Sequence, residues 1–278
     1  IGDDAAIFES EAPLVVTSDA ISYSSHVFNL LSDKDIARRF VTANVSDLAS
    51  MGSSPLYFVN NLLFSEESED KVDPKKIIEG IEEGCERYDM SVIGGDISSA
   101  QELVLSGFAI GLADKGYLTR EDAEPEDLLC VTGDLGRVKA GFEIGEKIPE
   151  PIKEKMIDPE ARVEEGRKLL DIATSCNDIS DGLSVESWEI SKSSNVKIIL
   201  NPDKFPIHES VLEKVKNPRE TVLSSGEEFE LLFTVPQDKI NLIDFEFTVI
   251  GKVKKGSGVY LKNGTKVRQT GWQHFNER

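Results

Sequence analysis

The chain has 278 residues, enough for two domains that each bury a core. Acidic residues outnumber basic ones by 51 to 31, and the formal charge of −20 sets nucleic acid and anionic membranes aside as partners. No apolar run approaches the roughly 20 residues of a membrane span, and three scattered cysteines (Cys85, Cys130, Cys176) without Cys-x-x-Cys spacing argue against zinc and a disulfide framework.

Leu14 to Ile21 predicts a strand ending in Thr17, Ser18 and Asp19. Asp33 is placed as the N-cap of a helix to about Met51, with Ile36, Phe40, Leu48 and Met51 as its apolar stripe. Gly52 closes it and Pro55 to Phe64 returns as a strand. After a charged loop, Pro74 opens a second helix to about Tyr88, with Ile77, Ile78, Ile81 and Cys85 inward. Val92-Ile93-Gly94-Gly95-Asp96 reads as a buried strand running into a side-chain-free bend with a carboxylate at its tip. Leu103 to Ala113 is a further strand, so the first half reads β-α-β-α-β-β.

Asp114 to Asp127 is polar and reads as the domain connection. Leu128 to Thr132 starts a second unit, with helices expected at Arg137 to Gly145, Pro159 to Thr174, Ser184 to Ser194 and His208 to Lys216. Its strands are expected at Val196 to Leu200, Phe229 to Val235 and Phe247 to Val253. The alternation gives a fold class of two α/β (α+β) domains, at residues 1–114 and 118–278.

Acidic clusters recur beside the predicted strands: Gly2-Asp3-Asp4, Thr17-Ser18-Asp19, Asn44-Val45-Ser46-Asp47, Gly94-Gly95-Asp96, Asp178-Ile179-Ser180-Asp181 and Gly226-Glu227-Glu228. One such motif is most simply a capped turn. Six of them point to Mg²⁺ ions gathered around a polyphosphate, because each ion takes only one or two carboxylates plus phosphate oxygens and water. That arrangement transfers a phosphoryl group by positioning and charge neutralisation, without a nucleophilic side chain. Neither a P-loop nor a His-Arg-Asp kinase motif is present.

These motifs, with Ala5-Ala6, His26, Leu48-Ala49-Ser50-Met51-Gly52, Thr132-Gly133, Gly182-Leu183 and Phe229-Glu230-Leu231, resemble the thiamine-monophosphate kinase family. That family belongs to the aminoimidazole-ribonucleotide-synthetase-like ATP-binding superfamily. The motifs occur in the family's order over nearly the whole chain. Glu228-Phe229 stands where the family usually has Asp-Tyr, and the resemblance also implies a further segment ahead of Gly2.

The resemblance implies metal ligation by Asp4, Asp19, Asp47, Asp96, Asp178 and Asp181, with oxygens from Thr17 and Ser18. It implies ATP contacts at Tyr88, Gly95, Arg120 and Ser180, and thiamine-phosphate contacts at His26, Glu227 and Trp272. It further implies several Mg²⁺ ions per site, ATP as co-substrate and a homodimer whose first-domain sheets close into a barrel; Cys130 and Cys176 in apolar runs are most simply core residues of a cytoplasmic protein. The residues also leave plainer readings. Asp19 and Asp47 could cap turns, Tyr88 could be helix packing and Trp272 a core plug. The rivals to the kinase are a superfamily relative with another small-molecule substrate and a catalytically silent nucleotide or divalent-ion regulator.

Overall fold

The computed structural model describes residues 13–26, 28–65 and 72–271, together with the backbone of residues 6–8. The fold is mixed α/β, built on two sheets.

The first half contains β1 (Ala6–Phe8), β2 (Leu14–Ser22), α1 (Tyr23–His26), α2 (Asp33–Ser50), β3 (Ser54–Phe64), α3 (Pro74–Arg87), β4 (Ser91–Ser99) and β5 (Val104–Leu112). Its strands form one five-stranded sheet in the order β1-β2-β5-β3-β4. Only the β3–β4 pair in it is parallel. The second half contains β6 (Leu128–Thr132), α4 (Arg137–Ile144), α5 (Glu150–Ile157), α6 (Val163–Leu169), β7 (Ser175–Asp178), α7 (Leu183–Ser193), β8 (Lys197–Leu200), α8 (Glu209–Lys214), α9 (Pro218–Ser224), β9 (Leu231–Val235), β10 (Phe247–Lys254) and β11 (Gly258–Leu261). They form a six-stranded sheet in the order β11-β8-β10-β6-β9-β7.

Helix α2 is the spine of the first half. Ile36, Ala37, Phe40, Val41, Val45 and Leu48 are all buried: Ala37 and Val41 pack on Gly80 and Gly84 of α3, and Phe40 meets Phe58 of the sheet edge-to-face at 5.4 Å. Burial of each such side chain contributes about 1.5–3 kcal/mol, and this row dominates the local stability. The N-cap lies one residue before the predicted one, at Ser32, and the helix starts at Asp33. Ser32 accepts from Asp35 N–H while the Asp35 carboxylate accepts from Ser32 N–H, a reciprocal box that Asp33 does not make. The same helix packs against α6 and β7, so it reaches into the second half as well.

Several expectations change. Gly94-Gly95-Asp96 is not a bend: it lies inside β4, and every residue of that strand is exposed. The strand is an edge with both faces open, which leaves Val92, Ile93 and Ile97 43–62% exposed. Gly95 answers to close approach, since a Cβ there would come 2.3 Å from the Asn60 carbonyl oxygen of β3. The single helix expected at 159–174 shortens to α6, because Pro159 and Ala161 lie in irregular chain and Leu170 turns extended at its end. The sequence reading did not include α5, α9 or β11. Strand β9 begins at Leu231 instead of Phe229, because Glu227 and Phe229 take left-handed backbone at φ +55° and +52°.

Candidate active site

The first sheet and the second half meet at a cavity of 570 Å³, a size suited to a single small organic ligand. Its lining holds carboxylates. Asp19 comes from β2, Asp47 from α2 and Asp181 from the loop after β7, with Ser180 beside it. The same lining holds His26, Phe28, Lys139, Phe142 and Glu227.

Each acid is held by local chemistry. Asp19 N–H donates to Asn44 Oδ1 at 3.0 Å, which ties β2 to α2. Thr17 Oγ1 donates to Asp47 Oδ2 along the same seam. Asp178, only 1% exposed at the end of β7, accepts from Ser46 Oγ at 2.6 Å. Burial pushes both Asp47 and Asp178 above the usual carboxylate range. Asp178 and Asp19 raise Asp47 further, while Thr17 opposes the rise; at Asp178, Ser46 and Arg120 oppose it. Carboxylates crowded in this way hold their charge only when a cation joins them.

Glu186, in the first turn of α7, is the acid the sequence reading missed. It accepts from Asn177 Nδ2 at 2.9 Å and from Asp181 N–H at 3.3 Å, and Arg120 Nη2 lies 3.9 Å away. Burial, with Asp178 next, pushes its carboxyl up to about 8. No local signal marked it, because one glutamate in an ordinary helix looks solvated. Arg39 was also missed. It is buried, gives one hydrogen bond to the Met156 carbonyl and another to Glu227 Oε2 at 2.8 Å, and lies 5.5 Å from the Phe28 ring. It therefore sets the position of Glu227 on the cavity wall. Ser180 does so from the backbone, its carbonyl accepting from Glu227 N–H at 2.6 Å.

The structure brings Thr17, Ser18, Asp19, Asp47, Asp178, Ser180, Asp181 and Arg120 into one neighbourhood, with His26 and Glu227 in the same cavity lining. Asp96 and Gly95 lie elsewhere. Asp96 aligns with Asn61, Asn61 with Ser106 and Ser106 with Ala20, so β4 is three strands from β2, about 14 Å at roughly 4.8 Å per step. Tyr88 does not face the cavity. Its side chain is buried, and its hydroxyl accepts from Ala161 N–H at 3.0 Å and pairs with Thr42 Oγ1 at 3.1 Å, which makes it a joint between helices. Asp4 and Trp272 lie outside the described residues.

Among the described residues, no three acidic, histidine or cysteine side chains already converge as a metal cage. The donor set still suits Mg²⁺, which needs few protein ligands when phosphate oxygens complete its shell. Asp178 Oδ1 is buried and has no hydrogen-bond partner, as a ligand oxygen would be before its ion arrives. Among the described residues no helix is long and apolar enough to cross a membrane.

Comparison with known proteins identifies the family. Residues 2–113 match the AIR synthase related protein N-terminal domain and residues 124–262 its C-terminal domain. Thiamine-monophosphate kinase of Pyrococcus abyssi is 44% identical over 283 residues, covering 99% of this chain and 90% of its own length. The enzyme of the same name from Pyrococcus horikoshii is 42% identical, covering 99% and 91%. The solved structure of AaThiL complexed with AMPPCP and TMP superposes with a TM-score of 0.90 at 30% identity, over 99% of this chain and 92% of that one. With both domain matches in order and kinship of this degree along its length, the chain belongs to the thiamine-monophosphate kinase family of the AIR synthase related proteins.

Proposed function

We propose that the chain transfers the γ-phosphate of ATP to thiamine phosphate, giving ADP and thiamine diphosphate. The observation that carries this reading is the cavity itself, lined by Asp19, Asp47 and Asp181 together with Phe28, Phe142, His26 and Glu227. Aromatic faces and an acid suit a flat, cationic heterocycle. The aspartates suit the phosphates, provided divalent ions lie between. Trp272 remains proposed as a further stacking face and Asp4 as a further ligand.

Asp19, Asp47, Asp178 and Asp181, with Thr17 and Ser18, would hold Mg²⁺. When bound, the ions neutralise phosphate charge and align the reacting groups. The chain supplies positioning. Arg120 is kept beside Asp178 by Glu186, and Asn44 and Ser46 fix the two acids that face one another across the domain seam. No general base is needed, because a phosphate monoester already carries most of its second charge at neutral pH, its second pKa being about 6. An acceptor oxygen attacks the γ-phosphorus and the β–γ bridging oxygen leaves with ADP, so no phosphoenzyme forms.

The 14 Å gap supports reading Asp96 and Gly95 as serving a different site from their own chain's Asp19. A homodimer in which the exposed β4 of one protomer meets the β2 side of its partner brings them together, so Asp96 acts on the partner's cavity. It also covers Val92, Ile93 and Ile97, an apolar edge that isolated proteins avoid leaving open.

Incubation with ATP and thiamine phosphate, with and without Mg²⁺, tests the function by following both ADP and thiamine diphosphate. Formation of both, dependent on Mg²⁺, is the expected result. ADP without thiamine diphosphate would indicate a relative with another acceptor, and no ADP at all would indicate a silent binding protein.

A further inference from the structure

We propose that Lys139 grips the phosphate of the acceptor and so makes the cavity select a phosphorylated substrate over its unphosphorylated form. The proposal rests on the kinase reading above. Lys139 sits in the first turn of α4, and among the residues lining the cavity it is the one lysine or arginine, in a lining that also holds Asp19, Asp47 and Asp181. A phosphate entering beside three aspartates needs a cation of its own, because ions shared with the nucleotide are already committed to that side.

The other donors nearby are taken. At the start of α4, Gly136 N–H and Val138 N–H both donate to Glu228 Oε1, at 2.8 and 3.3 Å, and Lys139 N–H donates to Ser225 Oγ at 3.0 Å. The helix terminus is thus closed by a carboxylate and is no anion site. Arg39 is spent on Met156 and Glu227, and Arg120 stands by Glu186 outside the cavity lining. The Lys139 ammonium carries three protons and gives one to Ser224 Oγ, which also lines the cavity. Among the described residues no carboxylate forms an ion pair with it. Ser224 steadies the head group at the wall and leaves two protons for an incoming phosphate.

Equilibrium binding of thiamine phosphate and of thiamine, each with Mg²⁺, to the wild type and to Lys139→Met and Lys139→Arg tests this. Lys139→Met should weaken thiamine phosphate by about 10- to 100-fold, leave thiamine within about 2-fold, and leave the ATP KM unchanged. Lys139→Arg should retain most of the phosphate affinity. A melt of each variant checks the fold, since a purely structural lysine would weaken both ligands together. Wild-type binding and turnover of thiamine phosphate with Lys139→Met unaffected overturns the role of Lys139 alone. A wild type that neither binds nor phosphorylates thiamine phosphate overturns the kinase reading, and this proposal with it.

Discussion

Ser46 Oγ donates to Asp178 Oδ2 at 2.6 Å, so the long helix of the first half is fastened to an edge strand of the second half at a carboxylate of the cluster itself. The fastening and the site chemistry share one bond. Ser46→Ala leaves a buried carboxyl without that donor and makes its charged form costlier. The Mg²⁺ concentration for half-maximal activity should rise about 10-fold, while kcat at saturating Mg²⁺ stays near normal. A magnesium titration of the variant checks this. An unchanged midpoint would separate Asp178 from the metal.

Asp47→Asn should lower kcat/KM by at least ~100-fold at any Mg²⁺ concentration, since it removes a negative ligand at the most crowded point of the cluster. Its melting temperature should hold or rise, because burial and the neighbouring Asp178 and Asp19 already oppose the charge there. Near-normal turnover would remove Asp47 from the site.

Tyr88→Phe distinguishes packing from nucleotide contact. Deleting the hydroxyl strands the Ala161 N–H and a Thr42 partner. The loss of about 1–2 kcal/mol should lower the melting temperature by several degrees and leave the ATP KM where it was. A raised ATP KM at unchanged stability would restore the contact.

The acid motifs were legible in the sequence because their chemistry is local: a strand, a glycine or serine, then a carboxylate. The helices α2 and α3 were legible for the same reason, having period and caps. What could not be read was which carboxylates share a site. Asp96 looked like a member of the cluster, and only the strand order separates it from Asp19. Glu186, Arg39 and Lys139 carried no motif, and their importance comes from folding alone. Tyr88 ends an amphipathic helix, and only the fold shows that its hydroxyl is bonded to Thr42 and Ala161.

Glu228 gives a pH test. Burial raises its carboxyl from 4.5 to about 7, against the opposing influence of Lys155, Ser225 and the amides of Gly136 and Val138. Below pH 4.5 it is protonated folded and unfolded, with no effect. Between 4.5 and 7 the unfolded chain releases its proton first, so stability falls as pH rises, by up to about 3 kcal/mol, and the loss is complete above the folded value. Glu228→Gln should lack this slope. Its melting temperature relative to wild type should therefore climb between pH 5 and 7.5, and parallel curves would contradict the assignment.

The central claim is that one site is assembled from Asp47 of one protomer and Asp96 of its partner, and mixing inactive variants tests it most directly. Asp96→Asn and Asp47→Asn are each expected to be nearly inactive alone. After unfolding and refolding together in equal amounts, half the dimers are hybrids, and each hybrid has one cavity with both aspartates intact. Activity should therefore recover to about a quarter of wild type. If both aspartates served the same chain's cavity, every site in the mixture would keep one defect. Activity no higher than that of the separate variants, with hybrid dimers demonstrably formed, would contradict the account.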